Sequence, residues 1–471
     1  MHLQRRTFLA QSLAAAGLLT LSTRLALAAP ELLIANVTGL HSVMVAQAVA
    51  PTSTAQLAQA VRDWPGQIGV GGGRYSMGGQ IACAGGLHLD MRAMKQLVWL
   101  DANARAVRVQ AGMTWRDLQE RIDPVGLAVM TMQSFANFTI GGSVAVNAHG
   151  RYVGNGPLGN SVRALQIVQA DGTVVEASRA QHAALFRAAI GGYGALGVIS
   201  EVELDLALNL PMERSMTSVA LADYADFFLG TVRNDPDCIL HNADLLPPRF
   251  DAPVAISWRA TRQPLTDQVR LIARGQSYGL HQNALFALTE LPCGPGLRAH
   301  VVNPLVLDKP AVVWRNHEAS HDVAELEPRT RRISTYVLQE YFIPVPHLVA
   351  FVRDMADLIR EHGANVLNVS IRHSPADTLS LLPWARQEVF SLVVYFKQRV
   401  HEKAQAQTGA WTRAMIDAAL HYGGRYYLPY QLHATRAQFQ RAYPEVAQLR
   451  RLKQTLDPQG KFSNMLWSRY L

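Results

Sequence analysis

Gly69-Val70-Gly71-Gly72-Gly73-Arg74-Tyr75-Ser76-Met77-Gly78-Gly79 is the stretch whose reading decides the fold. It follows Gln67-Ile68, which reads as the end of a short strand. Six glycines in eleven residues exclude a stable helix or an ordinary strand. They let the backbone visit φ > 0 and approach another group closely. Successive N–H groups in such a turn form a concavity suited to phosphate oxygens. Arg74 and Ser76 add a charge and a hydroxyl. No Gly-Lys-Ser/Thr ending follows, so this is not a P-loop, and no clean G-x-G-x-x-G opens a helix. A tight surface turn has the same composition, so the weight of the loop comes from its surroundings.

The 471 residues are 49% hydrophobic and 17% charged, which is globular and enough for two or three domains. The formal charge of +8 is spread without a Lys/Arg run, and three of the cations lie in residues 1–28. That favours an anionic ligand mildly and does not point to nucleic acid. Cys83, Cys238 and Cys293 are too widely spaced for a disulfide framework or a metal pattern, so buried thiols and no metal are expected.

Gln4-Arg5-Arg6-Thr7-Phe8-Leu9 precedes the apolar run Ala10–Leu21, and Ala26-Leu27-Ala28 offers small residues for cleavage. These are the three parts of a bacterial secretory signal over residues 1–28. The paired arginines are of the twin-arginine type, with an ordinary Sec signal as the alternative. The reading implies passage through the twin-arginine translocase in folded form, cofactor included, and a periplasmic mature protein starting near Ala29.

Further along, Thr54–Asp63 reads as an amphipathic helix with Leu57, Ala58 and Val61 on one side, and Thr114 caps a helix over Trp115–Ile122. Leu87–Gln96 reads as a turn leading into the strand Leu97–Leu100, and Ala106–Gly112 alternates as a strand. A second dense stretch spans Gln133–Gly150, where Gly141-Gly142 opens a small-residue helix and His149 stands before a glycine. Asp171-Gly172 turns a hairpin. A third glycine cluster, Gly191-Gly192-Tyr193-Gly194-Ala195-Leu196-Gly197, runs into a strand over Ser200–Leu206. Beyond it, strands are expected at Ala252–Trp258, Thr335–Ile343 and Val389–Phe396, and helices at Val345–His362 and Thr408–His421.

Taken together, the Gly-Gly-Gly-Arg loop, Thr-Ile-Gly-Gly-Ser-Val, His-Gly, the Asp-Gly-Thr hairpin and Gly-Tyr-Gly-Ala-Leu-Gly-Val-Ile resemble the flavin-binding domain of the vanillyl-alcohol oxidase (PCMH) family. Order and spacing match over residues 42–208, on the side of the family that holds decaprenylphosphoryl-ribose, alditol and aldonolactone oxidases. The resemblance implies an α+β fold. A two-lobed PCMH-type FAD-binding domain would occupy 29–210 and an antiparallel-sheet substrate-covering domain 211–422. Residues 423–471, with Asp457-Pro458-Gln459-Gly460-Lys461-Phe462, would return to the FAD-binding domain.

The resemblance also implies FAD. Gly71, Gly72, Gly73, Arg74, Tyr75 and Ser76 would cradle its diphosphate. Ser134, Asn137, Thr139, Gly141, Gly142 and Ser143 would wrap the pyrophosphate and ribitol, with Val146 and His149 beside the flavin. Gly194 and Ile199 would take the adenine side and Tyr427 the ring side. Many relatives tether FAD through a histidine in the glycine loop, but this loop holds no His or Cys, so the flavin is expected to be noncovalent. The implied chemistry is hydride transfer from a CH–OH group of a small polar substrate (sugar, polyol or aldonolactone) to flavin N5. The acceptor would be O₂ or a periplasmic or membrane carrier.

Gln339-Glu340-Tyr341-Phe342-Ile343-Pro344 resembles the Glu-Tyr-x-x-Pro strand of sugar and lactone oxidases. It offers Glu340 and Tyr341 to catalysis and Gln339 and Tyr341 to substrate. Asn368, Arg372 and Gln431 are further substrate candidates. The lysine that relatives carry after the segment corresponding to Gly423–Tyr427 is absent, and Tyr430 or Gln431 takes its place. A tyrosine can act as acid or base and a glutamine can only hydrogen-bond. Tyr430 is therefore the first candidate base, followed by His149 and Tyr341. The alternatives are a phenol, an amine or a lipid-linked alcohol as substrate, which an aromatic pocket would favour, or flavin binding without turnover.

Overall fold

Val198–Leu208 buries every second side chain along most of its length, and it is the spine of the first sheet. It pairs antiparallel with Val162–Val168 on one side and Ala106–Gln110 on the other. Val174–Ser178 and Leu97–Asp101 extend the two edges, and Leu127–Val129 pairs with its last residues. The computed structural model of the chain describes residues 32–276, 310–325, 327–328 and 330–471. The expected export signal and Cys293 lie outside them; Cys83 and Cys238 are buried free thiols.

The glycine loop belongs to a smaller parallel sheet. Gln47–Val49 and Ile68–Gly71 flank Leu87–Asp90. Leu87–Asp90 is therefore a central strand rather than part of the turn expected there. Three consecutive buried residues, Leu87–Leu89, show no alternation to read. Parallel neighbours need a crossover, and the first is Thr54–Asp63. Ser53 caps this helix, accepting from the Gln56 N–H, and Leu57, Ala58 and Val61 are buried against Ile68, Leu87, Val168 and Val198. The helix thus joins the two sheets into one two-lobed body.

The third sheet has eight antiparallel strands in the order Val312–Trp314, Pro211–Ser218, Val254–Ala260, Cys238–Leu245, Val366–Ser374, Val389–Arg399, Ser334–Pro344 and Arg425–Tyr426. Helices Leu348–Glu361 and Glu402–His421 pack on one face of it. The second of these starts earlier than its apolar pattern implies, because the His401 side chain accepts from the Ala404 N–H and caps it. Conversely, Val345–His347 is a 3₁₀ turn containing Pro346, and the α-helix begins only at Leu348.

The end of the chain is pinned to the first body. Lys453 Nζ donates to Ala195 O (2.8 Å), Phe462 O (2.7 Å) and Asp457 Oδ2 (2.7 Å). The Asp457 carboxylate also accepts from the Lys461 and Phe462 N–H groups. Asp457 is fully buried, so removing its cation leaves an uncompensated charge. Lys453→Met is expected to cost about 3–5 kcal/mol, read as a lower denaturant midpoint in equilibrium unfolding.

Candidate active site

A cavity of about 560 Å³ lies among the glycine loop, the helix Ile140–Ala145, the third glycine cluster and the open face of the eight-stranded sheet. On the first side the glycines have distinct reasons. A Cβ on Gly141 would stand 2.5 Å from the Ala111 Cβ, so that glycine is a packing requirement. A Cβ on Gly142 would meet only the Thr139 hydroxyl, and Gly142 has no left-handed φ. Its missing side chain keeps cavity space open. Thr139 Oγ1 accepts from the Gly73 N–H (3.3 Å), which couples the helix start to the glycine loop. Ser143 is a strut: its hydroxyl donates to Thr139 O (2.9 Å) and lies 3.1 Å from Trp115 Nε1.

Arg74 holds the loop in a left-handed conformation (φ +63°). Its guanidinium donates to Asp90 (2.9 Å) and lies 3.3 Å from His88 Nε2. Burial, then the nearby Arg74 cation, pushes His88 down to about 4, so it is neutral near pH 7. The Ser134 hydroxyl and Arg74 Nε are buried with no protein partner. Both residues line the cavity, as a site built for a large, oxygen-rich anion requires. The donor set and the space beside Gly142 fit FAD.

Two residues expected around the cofactor do not line the cavity. Gly71 backs onto the ring of His88, 2.4 Å from where its Cβ would be. Asn137 is occupied by the 310–325 segment, donating to Asp322 (3.1 Å) and accepting from the Val323 N–H (2.8 Å). The other expected cofactor residues do line it.

On the sheet side Glu340 is the hub. It is 1% exposed. Its Oε1 lies 2.5 Å from His149 Nε2 and accepts from the Ser391 hydroxyl (2.5 Å), while Oε2 accepts from the Tyr430 hydroxyl (3.0 Å). Burial alone would raise this carboxyl. His149, the Ser391 hydrogen bond and the Arg372 cation outweigh it and hold Glu340 below the usual range. Burial and the Glu340 charge push the Tyr430 phenol far up. His149 is boxed by Trp384, Phe342 and Tyr427, with ring centroids 4.8, 5.7 and 5.9 Å away. The Tyr427 hydroxyl is committed to Val146 O (2.8 Å). Arg372 lines the cavity with its Nε unpartnered, and Asn368 lines it with Oδ1 unpartnered.

Strand alternation separates the remaining candidates. Tyr336, Leu338 and Glu340 face the cavity; Gln339 and Tyr341 point to the other face. Tyr341 is fully buried with its ring 5.9 Å from Phe351 and its hydroxyl unpartnered, so it touches no substrate space. Gln431 is also outside the cavity, donating to Gln398 (2.8 Å) and 3.2 Å from His41. These placements correct the substrate and catalytic expectations for Gln339, Tyr341 and Gln431.

The cavity and the groups bonded to its lining add residues that sequence reading missed. Ser370 stands midway between Asn368 and Arg372, and a period of two along that strand would have found it. Ser391 reaches Glu340 only through the register of two strands distant in sequence. A rim cluster joins Arg151 to Glu318 (2.8 Å), with His321 3.7 Å from Glu318 and 3.5 Å from Glu325. Burial would lower His321, but the two carboxylates bring it up to about 9. Among the described residues, no group of three or more His, Cys, Asp or Glu side chains is placed to hold a metal ion.

Residues 45–178 match the family described as FAD binding domain, and residues 309–470 the family described as D-arabinono-1,4-lactone oxidase. The chain is 24% identical to L-gulonolactone oxidase of Mus musculus over 426 residues, covering 88% of this chain and 92% of the relative. It is 27% identical to alditol oxidase of a Streptomyces species over 434 residues, covering 88% and 93%. Decaprenylphosphoryl-beta-D-ribose oxidase of Mycolicibacterium smegmatis matches at 32% over 143 residues, 30% of this chain and 31% of that one. By these matches and the glycine-built cavity wall, the chain belongs to the PCMH-type FAD oxidoreductase family and takes FAD as its cofactor.

Proposed function

We propose that this is an exported, noncovalent flavoenzyme that oxidises a CH–OH group of a sugar-like substrate, with Glu340 receiving the hydroxyl proton. The observation that carries the reading is the Glu340 hub: a buried carboxylate with three partners, opening onto the cavity. FAD, when bound, supplies the hydride acceptor. Gly72, Arg74, Tyr75 and Ser76, with Ser134 and the Gly142 notch, would hold it through backbone N–H groups, a free hydroxyl and space.

Tyr430 is the first candidate base from sequence, but its phenol keeps its proton at neutral pH and already donates to Glu340. It acts as a relay. Its oxygen accepts from the substrate hydroxyl while its own proton moves to Glu340 Oε2. Glu340, held below the usual range, is ionised and ready to receive it. His149 and Ser391 fix the carboxylate's orientation at Oε1, and Arg372 offers donors to a second substrate oxygen.

Three of the relatives carry the word oxidase in their names, which supports O₂ as the acceptor. The Arg5-Arg6 leader, the apolar run after it and Ala26-Leu27-Ala28 support folded export to the periplasm. Purified mature protein is expected to be yellow and to release its colour into the supernatant on acid precipitation. Colour retained in the pellet would overturn noncovalent binding. Flavin that no sugar, polyol or aldonolactone bleaches anaerobically would overturn the reaction.

A further inference from the structure

Tyr430 reaches Glu340 from irregular backbone. The short strand Arg425–Tyr426 has ended, and residues 427–435 belong to no helix or strand. Carbonyls in such a stretch have no ladder to join and need partners from elsewhere. Here one side chain serves two of them. Gln80 Nε2 donates to Leu428 O (2.7 Å) and to Tyr430 O (2.8 Å), and Gln80 Oε1 accepts from the Gly78 N–H (2.8 Å). Gln80 is buried, and these bonds use both N–H groups and the oxygen of its amide, so the orientation of that amide is fixed.

The contact around it is close. The Met77 N–H donates to Pro429 O (2.6 Å). A Cβ on Gly78 would stand 2.5 Å from Tyr430 O, so backbone meets backbone there. Met77–Gln80 directly follows Arg74–Ser76, which line the cavity, so the end of the glycine loop is fastened to the stretch that carries the relay hydroxyl. Tyr430 is then held at two points, its carbonyl by Gln80 and its hydroxyl by Glu340 (3.0 Å). The hydroxyl stands at the far end of a rigid ring, so a small tilt of the backbone becomes a larger shift at the oxygen. A misplacement of about 1 Å costs about 10²-fold in rate.

We propose that Gln80 is a positioning residue for the reaction: its amide holds the Leu428–Tyr430 backbone at the height that brings the Tyr430 hydroxyl onto Glu340. It acts through Tyr430, because its own polar atoms are already committed to the backbone. The inference rests on the relay through Tyr430 proposed above. No bond forms or breaks at Gln80, and the proton still passes from the substrate hydroxyl to the Tyr430 oxygen while the Tyr430 proton moves to Glu340.

The test is Gln80→Met, which removes two donors and an acceptor at nearly constant length, placed in the wild-type and in the Tyr430→Phe background. The readout is the limiting rate of anaerobic flavin reduction of the mature holoenzyme by D-arabinono-1,4-lactone and by xylitol. In the wild-type background the rate is expected to fall about 10- to 100-fold. The apparent substrate Kd is expected to stay within about 2-fold, and the 450 to 280 nm absorbance ratio to stay at the wild-type value. In the Tyr430→Phe background the same substitution is expected to change the rate by less than about 2-fold, because the hydroxyl it positions is gone. Equal losses in both backgrounds would overturn the inference and leave the relay standing. Tyr430→Phe as fast as wild type would overturn the relay and the inference with it. Loss of FAD from Gln80→Met would show that Gln80 serves the glycine loop instead. Should Gln80→Met fail to fold, Gly78→Ala presses on the same Tyr430 carbonyl and is expected to give the same pattern in the two backgrounds. If neither probe bleaches the flavin, a crystal structure of the variant decides: the Tyr430 hydroxyl is expected to leave Glu340, and a hydroxyl still bonded to it overturns the inference.

Discussion

Glu340→Gln is expected to slow flavin reduction by about 10²- to 10⁴-fold while the flavin stays bound. The amide is almost isosteric, so the cavity wall keeps its shape. Its oxygen can still accept from Ser391 on the Oε1 side. Its NH₂ then faces the Tyr430 oxygen, donor towards the group that must itself donate. Neither amide atom can take up a proton near pH 7. Stopped-flow reduction with saturating substrate, beside the 450 to 280 nm absorbance ratio, separates loss of chemistry from loss of cofactor. Because the surroundings hold the wild-type carboxyl below the usual range, the ionised, active form persists to lower pH than a free glutamate would allow. The acid limb of the wild-type rate should therefore lie below the range of a free glutamate, and the variant should show no acid limb from this group. Tyr430→Phe is the companion. A rate equal to wild type would show that Glu340 takes the proton without a relay.

Gly142→Leu is expected to give a folded, nearly colourless protein with FAD affinity lowered at least about 100-fold, the equivalent of about 3 kcal/mol. The position needs no left-handed backbone, and an added Cβ presses on one atom, the Thr139 hydroxyl oxygen at 2.8 Å, which has to shift. The fold is expected to absorb that single contact, and the cofactor space is not. Gly141→Leu, one residue earlier, would strike the Ala111 Cβ and should lower stability itself. Circular dichroism and the FAD content of the two variants distinguish a ligand-space glycine from a packing glycine. A Gly142→Leu protein as yellow as wild type would remove this helix from the cofactor site.

Much of the cofactor wall was legible because close backbone approach demands glycine, and glycine clusters stand out in any sequence. The Thr114 cap was legible for the same local reason: the helix Trp115–Ile122 begins where that side chain bonds its first turn. The catalytic face was not. Ser334–Pro344 is buried on both faces, except for the half-buried Leu338, so it carries no period-two signal to separate Glu340 from Tyr341. The missing lysine could be read from the chain. That Tyr430 would be tied to Glu340 could not, since the two meet only through pairing of segments 90 positions apart.

The last turn of the chain also holds the cavity wall. Asn464 Nδ2 donates to Tyr193 O (2.8 Å), Trp467 Nε1 to Gly192 O (3.1 Å) and Lys453 Nζ to Ala195 O. The third glycine cluster is thus braced by residues 258 to 275 positions further along the chain, so the cavity wall and the 453–467 segment should open together, losing protection from amide hydrogen exchange as one unit.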